Sequence, residues 1–332
     1  MSITVKDVRG ISSMVPTPCK EGEDRWDDLN TVDLEETATM TENLVQAGIG
    51  SIAANGTTGE CAALLWEEKV AFIDTMVQVN RHRVPIFAGA TSLGTKETVR
   101  QMRALRDIGA EGAFIGLPLW QTPTLASSVQ WFADLSEAVP DMGIMVYSNS
   151  MFFKSFFPLE FWEGVAKRAP TVITNKIASP LITEHLEEIV RKTGDKIAYL
   201  PIDFAAAGAM KAFEAAGRKV PGMWSTSSCM GPEPVVALWE AIDQGDEARI
   251  KEIEADLHSV PSPMPSREDF MEFLPKYNVQ FEKARFNAAG YIKAGPPRPP
   301  YREPLPDHLQ KASEEHGKGW AQMRKKYMKA AV

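Results

Sequence analysis

Short apolar runs punctuate the first two thirds of the chain. They are ISSMVP (11–16), SIAAN (51–55), VPIFAGA (84–90), GAFIGLP (112–118), GIMVY (143–147), TVITNK (171–176), KIAYLPI (196–202) and VPGMWS (220–225). Each is brief and rich in Val, Ile, Ala or aromatic residues, and most stop at Gly, Pro, Asn or Ser. Strands covered on both faces read this way, because no alternate position has to meet water. Between the runs, apolar residues recur three and four apart. Asp33–Ala47 carries Leu34, Thr37, Ala38, Met40, Leu44 and Val45, and Thr95–Ile108 carries Val99, Met102, Leu105 and Ile108, so both predict amphipathic helices. Gly109 and Gly112 close the second of these and open the next run. The spacing of the runs, roughly 23 to 39 residues, is that of a strand–helix unit. Eight such units in succession predict an α/β fold, a (β/α)8 TIM barrel. The rival, a doubly wound open sheet, would more often place a glycine-rich phosphate loop after its first strand, and MVPTPCKEG (14–22) holds none.

Past about residue 232 the pattern becomes wholly helical. Val235–Asp243, Glu247–Ser259, Arg267–Ala289 and Asp307–Ala330 are the predicted helices. The prolines of KAGPPRPPYREPLP (293–306) force an extended stretch and end the preceding helix near Ala289. The expected organisation is a barrel over 9–232 carrying the active site, with a C-terminal helical layer over 233–332 packed on it.

Composition narrows the function classes. Lys+Arg 36 against Asp+Glu 44 leaves a net charge of −8, which disfavours a nucleic-acid partner. Cys19, Cys61 and Cys229 stand far apart, with no metal-type pair and no disulfide framework, as in a reducing compartment. MSITVKDVRG lacks the apolar core of a signal peptide, and no apolar run is long enough to span a membrane, so the expectation is a cytoplasmic protein.

Three run ends carry candidate chemistry. The second leads into Asn55-Gly56-Thr57-Thr58-Gly59-Glu60, where glycines allow a sharp turn and two hydroxyls with backbone N–H groups suit a carboxylate or phosphate. An ordinary turn with Thr58 as helix cap is the alternative, and Glu60 is expected to sit in the first turn of the next helix, where an acid suits the dipole. The fifth run ends at Tyr147-Ser148-Asn149, where a held tyrosine hydroxyl can relay a proton; a packing aromatic is the alternative. The sixth ends at Lys176, whose amine, partly desolvated, can attack a carbonyl; a lysine reaching into solvent is the alternative. His82, His185, His258, His308 and His316 are neither at run ends nor spaced as metal pairs, so no metal is expected.

Together these marks are specific. GTTGE (56–60), Tyr147, Lys176 and AGATSLGTKETVRQMRALRDIGAEGAFIGLP (88–118) resemble the dihydrodipicolinate synthase and N-acetylneuraminate lyase superfamily of Schiff-base aldolases. PTVITNK, FWEGVAKRAP, MWSTSSCMGP (223–232) and KYNVQFEKARFNAAGYIKAGPPRPPY (276–301) are similar to its hydratase-aldolase branch of aromatic catabolism. Departures from the synthase pattern point the same way. Phe152 stands where the synthases carry an arginine after the tyrosine, and Leu119-Trp120 stand where they carry paired tyrosines.

The resemblance implies a lyase with no cofactor beyond a covalent Schiff base through Lys176. It would hydrate an ortho-substituted benzylidenepyruvate, 2'-hydroxy or 2'-carboxy, and cleave it to an aromatic aldehyde and pyruvate in polycyclic aromatic hydrocarbon degradation. Lys176 and Tyr147 would be catalytic. Gly56, Thr57, Thr58, Asn149, Trp224 and Asn278 would bind substrate, with the two threonines on the carboxylate. Trp224 is equally a core tryptophan, and its removal is expected to spare pyruvate binding. Lys154 is a candidate cation for a ring carboxylate. The resemblance also implies a homotetramer. Another pyruvate aldolase, or a non-catalytic keto-acid-binding regulator, is the alternative; the first would want polar groups where Leu119, Trp120, Phe152, Phe153 and Trp224 stand.

Overall fold

Eight strands carry the fold: β1 (Gly10–Met14), β2 (Ser51–Ala54), β3 (Ile86–Gly89), β4 (Gly112–Ile115), β5 (Gly143–Asn149), β6 (Val172–Ala178), β7 (Ala198–Leu200) and β8 (Gly222–Ser225). They come from a computed structural model that describes residues 3–118, 120–264 and 266–328. Their order in one sheet is β7-β6-β5-β4-β3-β2-β1-β8. The pairings from β3 through β7 are parallel. The ends of the sheet meet where the Trp224 N–H donates to the Pro201 carbonyl at 2.8 Å and Ile202 bridges Trp224 in parallel, so the barrel is nearly closed. Every position of β1 to β5 is buried, which explains why the apolar runs show no alternation. This is the predicted (β/α)8 architecture.

The helices between and after the strands are α1 (Leu34–Gln46), α2 (Trp66–Asn80), α3 (Thr95–Asp107), α4 (Leu125–Ala138), α5 (Ser150–Phe153), α6 (Leu159–Arg168), α7 (Pro180–Glu184), α8 (Leu186–Thr193) and α9 (Ala206–Ala215). The C-terminal layer follows with α10 (Glu233–Gln244), α11 (Glu247–Ser259), α12 (Arg267–Ala289) and α13 (Asp307–Arg324). The last was expected to run to Ala330, which lies outside the described residues.

The chain forms two compact units. The first takes in Met1–Ser12, Gly50–Ala53 and Val84–Trp224. It therefore holds most of the strand residues. Behind β6 and β7 it is braced by an aromatic cluster in which Phe161 meets Phe132, Phe157 and Trp162 edge-on and Trp162 meets Tyr199 edge-on. Such contacts add to burial because ring edges are positive and faces negative.

The second unit takes in Ser13–Ile49, Ala54–Arg83 and Ser225–Val332. Of its helices, α1 and α12 start on side-chain caps: Asp33 accepts from the Glu36 N–H, and Ser266 forms a capping box with Asp269. Inside α12, Pro275 lacks an amide hydrogen, and the backbone leaves helical geometry at Tyr277 (φ −123, ψ 20). The helix stops at Gly290 in the left-handed region (φ 72), ahead of the prolines that were expected to end it.

Candidate active site

Lys176 and Tyr147 are partners in the β5–β6 register. Both were read as strand-terminal, yet each strand pairs for two more residues, Ser148 with Ile177 and Asn149 with Ala178. Side chains alternate along a strand, so Tyr147 and Asn149 share one face. Ser148 and Asn175 face the other way: Asn175 Nδ2 donates to the Val146 carbonyl at 3.1 Å and to Ser148 Oγ at 2.7 Å, and Ser148 Oγ donates to the Lys176 carbonyl at 2.9 Å. These bonds fasten the two strands beside Tyr147 and Lys176.

The Lys176 side chain is buried, 7% exposed. Its Nζ lies 4.2 Å from the centroid of the Tyr147 ring and 4.1 Å from that of Trp224. Trp224 is itself fixed, since its Nε1 donates to the Ile177 carbonyl at 2.7 Å. It is thus a buried core residue that also lies against Lys176. The Tyr147 ring is held by Phe114 stacked at 4.8 Å and Phe153 edge-on at 5.1 Å. A Cβ on Gly116 would fall within the Phe153 ring, so only glycine leaves room for that packing. Asn149 Nδ2 donates to the Tyr147 hydroxyl at 3.4 Å while its Oδ1 accepts from the Met151 and Phe152 N–H groups, capping α5. A cation at the Lys176 nitrogen would meet the π clouds of both rings.

The remaining predicted residues lie in the second unit. Gly56, Thr57 and Thr58 follow the end of β2 and are half-buried. Thr58 is not a helix cap, because α2 begins at Trp66 with Leu65 as its N-cap. The loop is pinned on both sides. Thr17 Oγ1 donates to the Gly59 carbonyl at 2.8 Å and accepts from Asn55 Nδ2 at 3.3 Å. Asn55 and Glu60 both take the left-handed conformation, with φ 51 and 54. A Cβ on Gly59 would lie 2.8 Å from the Asn55 nitrogen, so glycine is needed for the turn to close. Asn278 lies in α12 one residue past its kink, and its buried Oδ1 has no hydrogen-bond partner among the described residues. A buried acceptor of this kind suits a ligand donor.

Glu60 overturns its sequence expectation. It does not sit in the first turn of α2, which starts six residues later. It is 1% exposed, with Lys283 Nζ at 2.6 Å and Arg298 Nη1 at 2.7 Å from Oε2, and its Oε1 accepts from the Arg298 N–H at 2.7 Å. A buried carboxylate needs partnered cations more than it needs a helix dipole. Arg298, the single charge among the prolines of PPRPP, was the overlooked signal.

Other candidates fall outside this arrangement. Trp120 is 83% exposed, Phe152 is half-buried, Phe153 packs against Tyr147 and Lys154 is exposed. Leu119 lies outside the described residues. The five histidines all lie on helices or the turns beside them. Burial pushes the Cys229 thiol up to about 12, and it raises those of Cys19 and Cys61 as well. No group of three or more His, Cys, Asp or Glu side chains that could hold a metal occurs among the described residues. Among them, too, no helix is long and apolar enough to cross a membrane.

Residues 9–309 match the pattern of the Dihydrodipicolinate synthetase family. The chain belongs to that family. It is 38% identical over 333 residues to the trans-O-hydroxybenzylidenepyruvate hydratase-aldolase of Pseudomonas putida, covering 98% of this chain and 97% of that one. It is 35% identical to the trans-2'-carboxybenzalpyruvate hydratase-aldolase of Nocardioides sp. (strain KP7), over 98% and 97% of the two chains. Among solved structures it is similar to PhdJ bound to a substrate intermediate, with a TM-score of 0.92, 31% identity and coverage of 98% and 99%. The family is one of class I, lysine-dependent aldolases.

Proposed function

We propose that this protein is a carbon–carbon lyase, a hydratase-aldolase that converts an ortho-substituted benzylidenepyruvate and water into an aromatic aldehyde and pyruvate, in the breakdown of aromatic hydrocarbons. The observation that carries the reading is Lys176 Nζ set between the Tyr147 and Trp224 rings, opposite Tyr147 in the strand ladder. The near-full-length identity to two relatives named for this reaction supports it.

On this reading Thr57 and Thr58 take the keto-acid carboxylate through hydroxyl and backbone N–H donors. The Lys176 amine adds to the ketone carbon, water leaves, and a Schiff base forms. Protonated, this iminium is a cation at the place where the two ring faces lie, so they stabilise the charge that the reaction creates. The iminium draws electrons through the conjugated alkene, and water adds across it, its hydroxyl to the benzylic carbon and its proton to the neighbouring carbon, which restores the iminium. Tyr147, its hydroxyl held by Asn149, removes the proton of the new benzylic hydroxyl. The adjacent carbon–carbon bond then breaks, its electrons pass into the iminium, and the aldehyde leaves. Protonation and hydrolysis of the remaining enamine release pyruvate and regenerate Lys176.

In finer terms, we read the protein as a cytoplasmic homotetramer that needs no cofactor besides this Schiff base, with the barrel of 9–232 carrying the chemistry and 233–332 as its helical extension. The test is turnover of the 2'-hydroxy and 2'-carboxy benzylidenepyruvates, followed by loss of near-ultraviolet absorbance and by the appearance of aldehyde and pyruvate in equal amounts. Consumption of one of them supports the reading. Turnover of neither, with a hydroxylated keto acid cleaved instead, replaces it with a sugar-acid aldolase.

A further inference from the structure

The buried ion cluster of the second unit surrounds the loop to which the proposed reaction assigns the substrate carboxylate. Glu60 ends that loop, and its N–H donates to the Thr57 carbonyl at 2.9 Å. Its carboxylate is gripped from two places in the C-terminal segment: Lys283 on α12 and Arg298 in the proline-rich stretch. Lys283 also donates to the Pro296 carbonyl at 2.8 Å. Arg298 spends its other donors on the 17–31 stretch: Nη1 on the Thr17 carbonyl at 3.0 Å, Nη2 on the Pro18 carbonyl at 2.8 Å, and Nε on Thr31 Oγ1 at 2.5 Å. Thr17 in turn holds the Gly59 carbonyl. Thr57 and Thr58 therefore lie on a short arc with both ends fixed, at Asn55 and at Gly59–Glu60. Ordinary loop stability does not call for three ionised groups in a dry interior, because taking charges out of water costs more than a well-packed apolar contact would. Burial beside Arg298 indeed holds the Lys283 ammonium below the usual lysine range.

We infer that Glu60, Lys283 and Arg298 are positioning residues for carboxylate recognition, presetting the Thr57–Thr58 arc so that it meets a keto-acid carboxylate without rearrangement. The inference rests on the reading that this arc takes the carboxylate. Its expression is in binding and not in the covalent step, since none of the three needs to touch the reacting atoms. Misplacing a binding group by about 1 Å is enough to weaken recognition by an order of magnitude or more.

The experiment is borohydride trapping of the full-length protein with pyruvate and with methyl pyruvate, which keeps the ketone and loses the charge. Wild type, the double variant Thr57→Val/Thr58→Val, Lys283→Met, Arg298→Met and Thr17→Val are compared, each checked by circular dichroism. Lys283→Met leaves Glu60 and Arg298 as a neutral pair, and Thr17→Val removes a hydroxyl at constant shape, so both remain informative where Arg298→Met fails to fold. The expected result is that Lys283→Met and Thr17→Val raise the half-saturating pyruvate concentration about tenfold. The trapping plateau and the half-saturation for methyl pyruvate should stay within about twofold of wild type. If wild type does not prefer pyruvate, or the double threonine variant leaves its half-saturation unchanged, the carboxylate reading itself fails. If that reading stands and the folded cluster variants bind pyruvate as wild type does, or weaken both ligands equally, the positioning role is overturned.

Discussion

Trp224→Ala tests how tightly the aromatic wall is tied to the covalent chemistry. From the sequence alone, removing this indole should affect only an aryl substrate. The structure places the indole face 4.1 Å from Lys176 Nζ, so pyruvate chemistry should suffer too. A cation–π contact in a desolvated site contributes up to about 2 kcal/mol. One of the two faces is lost, and at about 1.4 kcal/mol per factor of ten the iminium should form roughly thirtyfold more slowly. An aryl substrate loses in addition a ring contact of about 1 kcal/mol, a further fivefold or so. Stability should also fall by about 3–5 kcal/mol, because a buried tryptophan is replaced by a cavity and the Ile177 carbonyl loses its donor. Trp224→Phe separates these effects: a ring face remains, so trapping should stay within several-fold of wild type while the lost indole donor still costs about 1–3 kcal/mol of stability. The assays are the rate of pyruvate trapping at saturating borohydride, steady-state turnover of a benzylidenepyruvate, and urea unfolding. Wild-type trapping by a folded Trp224→Ala protein would refute the claim that the indole supports the iminium.

The other predictions address single groups. Lys176→Ala should abolish both aldehyde release and the reduced pyruvate adduct while leaving the far-ultraviolet spectrum intact; an adduct at wild-type level on another lysine, located by peptide mass spectrometry, would move the nucleophile elsewhere. Tyr147→Phe keeps the packing against Phe114 and Phe153 and removes only the hydroxyl. Turnover should drop by about two to four orders of magnitude, the usual size of general acid–base catalysis, with trapping less affected. His316, whose Nδ1 meets the Pro261 carbonyl and whose Nε2 faces Arg285 at 3.3 Å, has its pKa lowered to about 4 by burial and then by Arg285. Its neutral form is the folded one, so stability is complete above pH 6.5 and is lost as the pH falls from there towards about 4. The loss is on the order of 3 kcal/mol. Urea midpoints at pH 7 and pH 4.5 should therefore differ more in wild type than in His316→Gln, and equal differences would exclude this histidine as the cause.

The barrel was legible because most of its strand positions are apolar and helices such as α1 and α3 show their own period. The ends of β5 and β6 were not. Ser148, Asn149 and Asn175 look like loop residues in a linear reading, yet the strands run past Tyr147 and Lys176: the Asn175 amide nitrogen and Ser148 bond each other and strand carbonyls, while Asn149 bonds the Tyr147 hydroxyl and caps α5. Tyr147 and Lys176 were singled out from residue type and place along the chain, and the ladder pairs them. The contact between Trp224 and Lys176 was not legible, because it joins positions 48 residues apart on different strands. Glu60 was misread for the same reason. Its neighbours in sequence offer a helix start, while its partners in space, Lys283 and Arg298, lie more than 200 residues away.

Tyr147 and Lys176 are cross-strand neighbours, so the separation of their backbones is fixed by the ladder, at the roughly 4.8 Å between any two paired strands. No loop sets it, and no change of loop length or composition can stretch it. Under the proposed function this divides what can vary from what cannot: side chains that meet the ring can change with it, one substitution at a time, while the backbone spacing beneath Tyr147 and Lys176 stays as it is.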